Sequence, residues 1–166
     1  MIQITIHGRG GQGAVRASQL LAEAAFLQGY HVQAFPFFGV ERGGAPVEAF
    51  VRLDDKEIIT REQIEKADYA IVFDTSLIDR VNASKTFVNS SHEIDKTEFF
   101  DASGLAMQIF PQAVNTAMIA FFSCRTGIVE QKSLIEACKK LFSENSLKNN
   151  LKIIYNVFEK CMKKKR

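Results

Sequence analysis

The feature that most constrains the fold is a strand, a glycine-rich turn and a helix at the amino terminus. Isoleucines alternate with polar residues at Ile2, Ile4 and Ile6, which is the period of a strand with one buried face. The next stretch, IHGRGGQGAV at 6–15, puts four glycines into six positions. An alanine- and leucine-rich segment follows at helical spacing and closes near Gly29. The sequence therefore predicts a strand that leads into a helix through a tight glycine turn.

Strands and helices alternate along the rest of the chain. We predict strands in HVQAFPFF, DYAIVFD, KTFVNSS and TEFFDAS, and an antiparallel strand pair joined at Asp54 and Asp55 within VEAFVRLDDKEII. We predict helices in REQIEKA, in SLIDRVNA and over 113–125, 130–143 and 149–163. This alternation is typical of an α/β protein, here a three-layer α/β/α domain with a mixed, mostly parallel sheet, a Rossmann-like variant. Residues 1–166 are expected to form a single domain.

Length and composition exclude several classes of protein. A chain of 166 residues that is 46% hydrophobic and 24% charged can bury a core of its own. No apolar run approaches the roughly 18 residues of a membrane span, and the first 30 residues do not have the pattern of a signal peptide. We therefore expect a cytoplasmic protein that does not bind a membrane.

The net charge of +2 conceals an asymmetry between the two parts of the chain. Residues 130–166 carry ten Lys and Arg against four Glu, whereas residues 1–129 carry eleven basic and fifteen acidic residues. The lysines are interleaved with the apolar positions of amphipathic helices, and no aromatic platform accompanies them, so we predict no nucleic-acid binding. The final KKKR is interpreted as a solvated terminus, with subunit docking as the alternative.

The cysteines and histidines do not form a pattern that binds a metal or performs catalysis. The three cysteines are far apart and lack a CxxC pair, so we expect buried apolar residues rather than ligands. Two histidines flank predicted strands, where a structural role is expected, and the third lies in a serine-rich loop. We predict no metal site and no catalytic residue among these six: Cys124, Cys138, Cys161, His7, His31 and His92.

The glycine turn resembles a phosphate-binding loop only in part. Gly8, Gly10 and Gly13 fit G-x-G-x-x-G at the start of a helix, whose free N–H groups favour an anion. Binding of NAD would also require an acidic residue at the end of the second strand, but that region reads QAFPFF and the next acid is Glu41. A P-loop is excluded because no G-K-[ST] follows. Two interpretations stay open: a tight turn for close helix–sheet packing, and a contact with phosphate or another subunit.

Several segments together resemble one family. Residues 8–52, GRGGQGAVRASQLLAEAAFLQGYHVQAFPFFGVERGGAPVEAFVR, resemble the gamma subunit of the 2-oxoacid:ferredoxin oxidoreductases, especially the pyruvate type. The segments ADYAIVFD, KTFVNSS and NTAMIAFFSCRTGIV fit the same pattern, so the resemblance spans nearly the whole chain. One residue departs from it: pyruvate-type relatives commonly carry an arginine at the position of Gly43.

The resemblance implies a hetero-oligomeric complex with alpha, beta and delta subunits. Such complexes decarboxylate a 2-oxoacid on thiamine diphosphate with Mg²⁺, pass electrons through iron-sulfur clusters to ferredoxin, and transfer the acyl group to coenzyme A. These cofactors are expected on or with the partner subunits, and none is assigned to this chain. We expect a supporting subunit, with pyruvate as the 2-oxoacid, that is inactive in isolation. The alternatives are a stand-alone nucleotide-binding oxidoreductase and a binding or regulatory module without redox chemistry.

Two loops are the candidate functional elements. In the first, backbone N–H groups, with Arg16 nearby, are expected to contact coenzyme A phosphates or a neighbouring carboxylate. Its members are Gly8, Arg9, Gly10, Gly11, Gln12 and Gly13. The second is expected at a subunit interface, where the adjacent acid and base make either an intersubunit contact or an internal salt bridge. Its members are Phe38, Gly39, Glu41, Arg42, Gly43 and Gly44.

Overall fold

A computed structural model describes residues 1–38 and 44–163. Within them lie six strands: β1 (Ile2–Arg9), β2 (His31–Phe38), β3 (Pro46–Asp54), β4 (Ala67–Val72), β5 (Ala83–Asn89) and β6 (Thr97–Phe100). The same residues include five α-helices: α1 (Ala14–Leu27), α2 (Ala102–Ile109), α3 (Val114–Thr126), α4 (Gln131–Leu141) and α5 (Glu144–Lys163). Two short 3₁₀ helices span Thr75–Arg80 and Pro111–Ala113.

The strands form one mixed sheet in the order β2-β3-β1-β4-β5-β6. Strand β3 is antiparallel to both of its neighbours, β1 and β2, whereas β1, β4, β5 and β6 are parallel to one another. The predicted α/β class with a mixed, mostly parallel sheet is confirmed.

The sheet lies between two outer layers. On one face α1 and α3 pack against the strands and α4 and α5 cover those helices, which buries Ile4, Ile6 and Phe87 completely. On the other face the 3₁₀ helix Thr75–Arg80 covers β4 and β5, while Ile64 packs on β3. The three predicted layers are present, and the described part of the second outer layer consists of the 3₁₀ helix and irregular chain.

The segment after β3 differs from its prediction. The first strand of the pair expected at Asp54 and Asp55 is β3. The second strand is wrong, because β3 is already paired on both edges by β1 and β2 and has no free edge for a hairpin partner. The expected helix in REQIEKA is also wrong. There the backbone carbonyl of Glu62 accepts a hydrogen bond from the Arg52 side chain, and Ile64 anchors the segment in a small apolar cluster.

Two helices differ from their predictions as well. SLIDRVNA forms a 3₁₀ helix that is capped by Asp74 and already extended at Val81, because the chain must return quickly to β5. Helix α2 was not predicted: TEFFDAS contains the expected strand only to Phe100. Asp101 then caps a helix by accepting the Gly104 N–H at 2.7 Å.

The three cysteines are buried, as predicted. Cys124 on α3 and Cys161 on α5 form a disulfide, which the sequence did not predict because the two residues lie 37 positions apart. Cys138 on α4 is free, and burial raises the pKa of its thiol to about 12.

No helix within residues 1–38 and 44–163 is both long enough and apolar enough to cross a lipid bilayer.

Candidate functional site

The glycine turn lies at the carboxyl edge of the sheet, where the chain changes direction. Residues 10–13 connect β1 to α1, which leads to β2 on one side of β1. On the other side lies β4, which also ends at this edge, and the Phe73 N–H donates to the carbonyl of His7 at 2.8 Å. In open α/β sheets, ligands bind in the crevice at such a switch point, so the fold places the predicted turn at the position where a ligand site is expected.

Arg9 links the turn to two other segments. Its guanidinium donates to Asp74 Oδ2 at 3.2 Å, to Ser76 Oγ at 2.6 Å and to the carbonyl of Gly44 at 3.1 Å. Hydrogen bonds from Ser76 hold the pKa of the Asp74 carboxyl below its ordinary value, and the charge of Arg9 contributes to the same shift. Asp74 is therefore ionised at neutral pH, and the charge of Arg9 is balanced within the chain.

Gln12 closes the turn on itself. Its side-chain oxygen accepts the Arg9 N–H at 2.6 Å, and its own N–H donates to the Arg9 carbonyl at 3.0 Å. Its side-chain nitrogen reaches Asp74 Oδ2 at 3.5 Å. The glutamine of the motif is thus a structural residue that fixes the conformation of the turn.

The glycines of the turn have different roles. A Cβ at Gly8 would lie 3.2 Å from the Phe73 ring, and one at Gly13 would lie 3.0 Å from Asn115 Nδ2. Gly11 and Gly13 have φ of 89° and 83°, in the left-handed region that favours glycine. Gly8 therefore allows close packing against Phe73, and Gly13 allows close packing of the start of α1 against α3.

The glycine turn contacts the described end of the second loop, at Gly44 and Ala45. The Gly10 N–H donates to the Ala45 carbonyl at 3.0 Å, and Arg9 bonds to Gly44. Gly44 is exposed and has φ of 77°. Strand β2 ends at Phe38, and the remaining predicted interface residues lie outside the described residues: Gly39, Glu41, Arg42 and Gly43.

Not every predicted N–H donor is available to a ligand. The N–H groups of Gly10 and Gln12 are bonded to carbonyls of the chain. Those of Gly11 and Gly13 have no acceptor within the part of the chain that the structure describes. Gly13 precedes α1 and provides no side-chain cap, so the positive end of that helix is open as well. Arg16 does not reinforce this site, because its guanidinium lies 5.7 Å from the centre of the Phe142 ring.

A small cavity of about 150 Å³ adjoins the turn. Asn89 donates to the Phe73 carbonyl at 3.1 Å and to Ser103 Oγ at 2.8 Å, and it accepts the Ser103 N–H at 3.1 Å. The residues that line it are neutral: Gly11, Gln12, Phe73, Asn89, Ser103, Pro111, Gln112 and Val114.

Sequence reasoning missed the residues that surround the turn. Asp74 and Asn89 both lie at the ends of predicted parallel strands, and Ser103 opens the unpredicted helix α2. The carboxyl ends of parallel strands meet at one edge of a sheet, so the positions of Asp74 and Asn89 were the available signal.

His7 is buried on the face opposite the helices. Its Nε2 lies 2.9 Å from Thr5 Oγ1, and its Nδ1 lies 3.8 Å from a Glu48 carboxylate oxygen. Burial lowers the pKa of His7, and the charge of Glu48 opposes part of that shift. A neutral, packed imidazole supports the predicted structural role. Across the described residues, no group of three His, Cys, Asp or Glu could hold a metal ion.

Arg9→Met is expected to lower the free energy of unfolding by about 1–2 kcal/mol, because three hydrogen bonds of a partly exposed guanidinium are lost. A double-mutant cycle with Asp74→Asn, followed by urea unfolding, measures the part that comes from the ion pair. Arg80→Met, on the exposed side of the 3₁₀ helix, is the control. Equal effects of Arg9→Met and Arg80→Met would contradict a structural role for Arg9.

Comparison with known proteins identifies the family. The family model for pyruvate ferredoxin/flavodoxin oxidoreductase matches residues 3–160. The chain is 43% identical to the pyruvate/ketoisovalerate oxidoreductases common subunit gamma of Thermococcus litoralis, with 98% of each chain covered. It is 44% identical to the pyruvate synthase subunit PorC of Methanocaldococcus jannaschii, with 99% of each chain covered.

A solved structure agrees with this result. The crystal structure of pyruvate oxidoreductase subunit PORC from Thermotoga maritima has a TM-score of 0.80 to this chain at 32% identity, and 95% of each chain is covered. The chain therefore belongs to the pyruvate ferredoxin/flavodoxin oxidoreductase family, as one of its gamma subunits.

Proposed function

We propose that the chain is the gamma subunit of a cytoplasmic 2-oxoacid:ferredoxin oxidoreductase, with pyruvate as its substrate, and that it assembles with alpha, beta and delta subunits. The proposal is supported by relatives that match the whole chain and are subunits of pyruvate and ketoisovalerate oxidoreductases. The complex would oxidatively decarboxylate the 2-oxoacid with thiamine diphosphate and pass electrons through iron-sulfur clusters to ferredoxin. The described residues include no cluster suited to the Mg²⁺ of thiamine diphosphate, so we derive no step of that chemistry through this chain.

One observation carries the role assigned to this subunit: the glycine turn, fixed by Arg9 and Gln12, lies beside a cavity without carboxylates at the switch point of the sheet. The N–H groups of Gly11 and Gly13 and the uncapped start of α1 fit a phosphate of coenzyme A. Coenzyme A, when bound, supplies the thiol that accepts the acyl group. The residues of the turn bind and orient that ligand, because none of them is positioned as an acid, base or nucleophile.

The second loop is proposed as the subunit interface, with Phe38, Gly39, Glu41, Arg42, Gly43 and Gly44 facing a partner. The adjoining end of β2 supports this assignment. Phe37 is 41% exposed, and its ring lies 6.2 Å from that of Phe50 on the same face of the sheet. An exposed aromatic residue beside a predicted interface segment is typical of a surface that another subunit covers.

The test is reconstitution of the complex. The chain is purified alone and co-expressed with the alpha, beta and delta subunits, and reduction of methyl viologen is followed with pyruvate and coenzyme A. We expect no turnover by the isolated chain, full turnover by the complex, and loss of turnover when this chain is omitted. Turnover by the isolated chain, or an equally active complex without it, would contradict the proposal.

Hydrogen exchange in the same preparations tests the assignments of the two loops separately. Assembly is expected to slow exchange over residues 38–44, and added coenzyme A is expected to slow exchange over residues 11–16 only in the complex. Unchanged exchange over residues 38–44 on assembly would refute the interface assignment. The subunit assignment would not be affected, because the activity measurement tests it independently.

A further inference from the structure

The Cys124–Cys161 disulfide has no part in the function proposed above. It joins α3 to the last turn of α5 across a Cα–Cα distance of 6.6 Å. Cys161 lies two residues before the end of α5, beyond the residues Ile153, Ile154 and Val157 that bury this helix against the core. The bond therefore fixes the end of a helix that is already anchored along its middle.

Cys161, although only 4% exposed, lines a large cavity at the β6 edge of the sheet. The cavity has a volume of about 640 Å³, enough for a small thiol, and exposed Lys160 and Lys163 lie on its wall. Cys161 lines this cavity and Cys124 does not. A thiol that enters this cavity therefore contacts Cys161, whereas Cys124 lies outside the lining.

Two cations are neighbours of the disulfide in the sequence, on cavity walls that also carry the carboxylates of Glu98 and Asp101. Arg125 follows Cys124 in the chain and Lys160 precedes Cys161, and both side chains line the cavity. Arg125 is paired with Glu98 at 2.8 Å, so part of its charge is balanced, whereas Lys160 adds a second cation. Cations near a disulfide favour both the approaching thiolate and the thiolate that departs, which speeds exchange.

We propose that Cys124–Cys161 is a reversible redox site that exchanges with a small thiol–disulfide couple through this cavity. The thiolate attacks the Sγ of Cys161, the protein S–S bond breaks, and the Sγ of Cys124 departs as a thiolate that takes a proton. A second thiolate then attacks the mixed disulfide and releases Cys161. In sum, two small thiols become one small disulfide, and two protein thiols are formed.

Reduction releases only the end of α5. Ile153, Ile154 and Val157 keep the middle of the helix in the core, while the last turn, with Lys160 and Lys163, loses its covalent link to α3. The redox state therefore controls whether the last described turn of α5, which forms part of the cavity wall, is held against α3.

The test counts free thiols in the full chain after equilibration with defined ratios of reduced and oxidised dithiothreitol. Native protein is alkylated with N-ethylmaleimide and analysed by peptide mass spectrometry. We expect oxidised protein to show a crosslink between the peptides of Cys124 and Cys161 and no alkylation of either. Reduced protein should be alkylated at both, and reoxidation should restore the crosslink. Cys138 is the internal control, since burial raises its thiol pKa to about 12 and it should react only after unfolding.

Two variants test whether the effect of oxidation on the melting temperature comes from this disulfide. Oxidation of the unchanged chain is expected to raise the melting temperature by about 5–10 °C, because a closed loop restricts the unfolded state. Cys161→Ser should abolish this shift and Cys138→Ala should keep it. A chain that retains three free thiols at every ratio, or a disulfide that is reduced only after denaturation, would overturn the proposal.

Discussion

Replacing Arg52 by methionine is expected to lower the free energy of unfolding by about 3 kcal/mol. The side chain is only 2% exposed on the sheet face opposite the helices. Its guanidinium donates to Gln33 Oε1 at 2.7 Å, to Gln3 Oε1 at 3.4 Å and to the carbonyl of Glu62, and it lies 5.6 Å from the centre of the Phe35 ring. Methionine has a similar length and no donors, so the substitution removes these hydrogen bonds and leaves most of the volume filled.

An opposite effect has to be weighed against this loss. Burying a charged guanidinium costs solvation free energy, and no carboxylate among the described residues pairs with Arg52, so its removal relieves that cost. The hydrogen bonds dominate because their acceptors remain in place after the substitution. The Glu62 carbonyl and two glutamine side chains would lose a charged donor, and the segment 55–66 would keep Ile64 and the Gln33–Thr60 hydrogen bond as anchors on the sheet.

Urea unfolding measures the change, with Arg80→Met as the control for loss of an exposed arginine, for which we expect less than about 0.5 kcal/mol. The loss of unfolding free energy in Arg52→Lys should lie between those of Arg52→Met and Arg80→Met, since an ammonium group cannot reproduce the planar fork of donors. Hydrogen exchange should accelerate over residues 60–65 in Arg52→Met. Equal stability of Arg52→Met and the unchanged chain would show that the solvation cost cancels the hydrogen bonds.

The elements that local sequence patterns predicted are those that bury one continuous apolar face or run. Strands β1, β4 and β5 and the helices α1, α3, α4 and α5 have an apolar face or an apolar run that follows one period along the chain. The insertion of β3 between β1 and β2 could not be predicted, because strand order depends on pairing between residues that are far apart. The second strand of the pair expected at Asp54 and Asp55 was predicted wrongly for that reason.

The sequence predicted the glycine turn of the candidate site, but not the hydrogen bonds that hold this turn in place. The glycines and Gln12 are contiguous, whereas Asp74 and Ser76, which hold Arg9, are more than 60 residues away. Arg52 illustrates the same limit. It alternates with apolar residues in VEAFVRLD and would be assigned to an exposed face, yet the irregular segment 55–66 covers that face and buries it.

Alanine substitutions at three glycines of the turn are expected to have graded effects. Gly10 has no positive φ, and its Cβ would lie 3.6 Å from the Gly44 nitrogen, an ordinary contact, so Gly10→Ala should cost less than about 0.5 kcal/mol. Gly11 has φ of 89° with open space around it, so Gly11→Ala should cost about 1 kcal/mol from backbone strain alone.

Gly13→Ala combines strain with a collision and should cost about 3 kcal/mol. Its φ is 83°, and the new Cβ would lie 3.0 Å from Asn115 Nδ2. Asn115 cannot easily withdraw, since it is 5% exposed and its Oδ1 accepts the Thr116 N–H at 2.8 Å. Urea unfolding of the three variants gives the order, and Gly13→Ala with Asn115→Ala should recover part of the loss by removing the collision. If Gly13→Ala were no more damaging than Gly11→Ala, close packing of α1 against α3 could not be the reason for a glycine at this position.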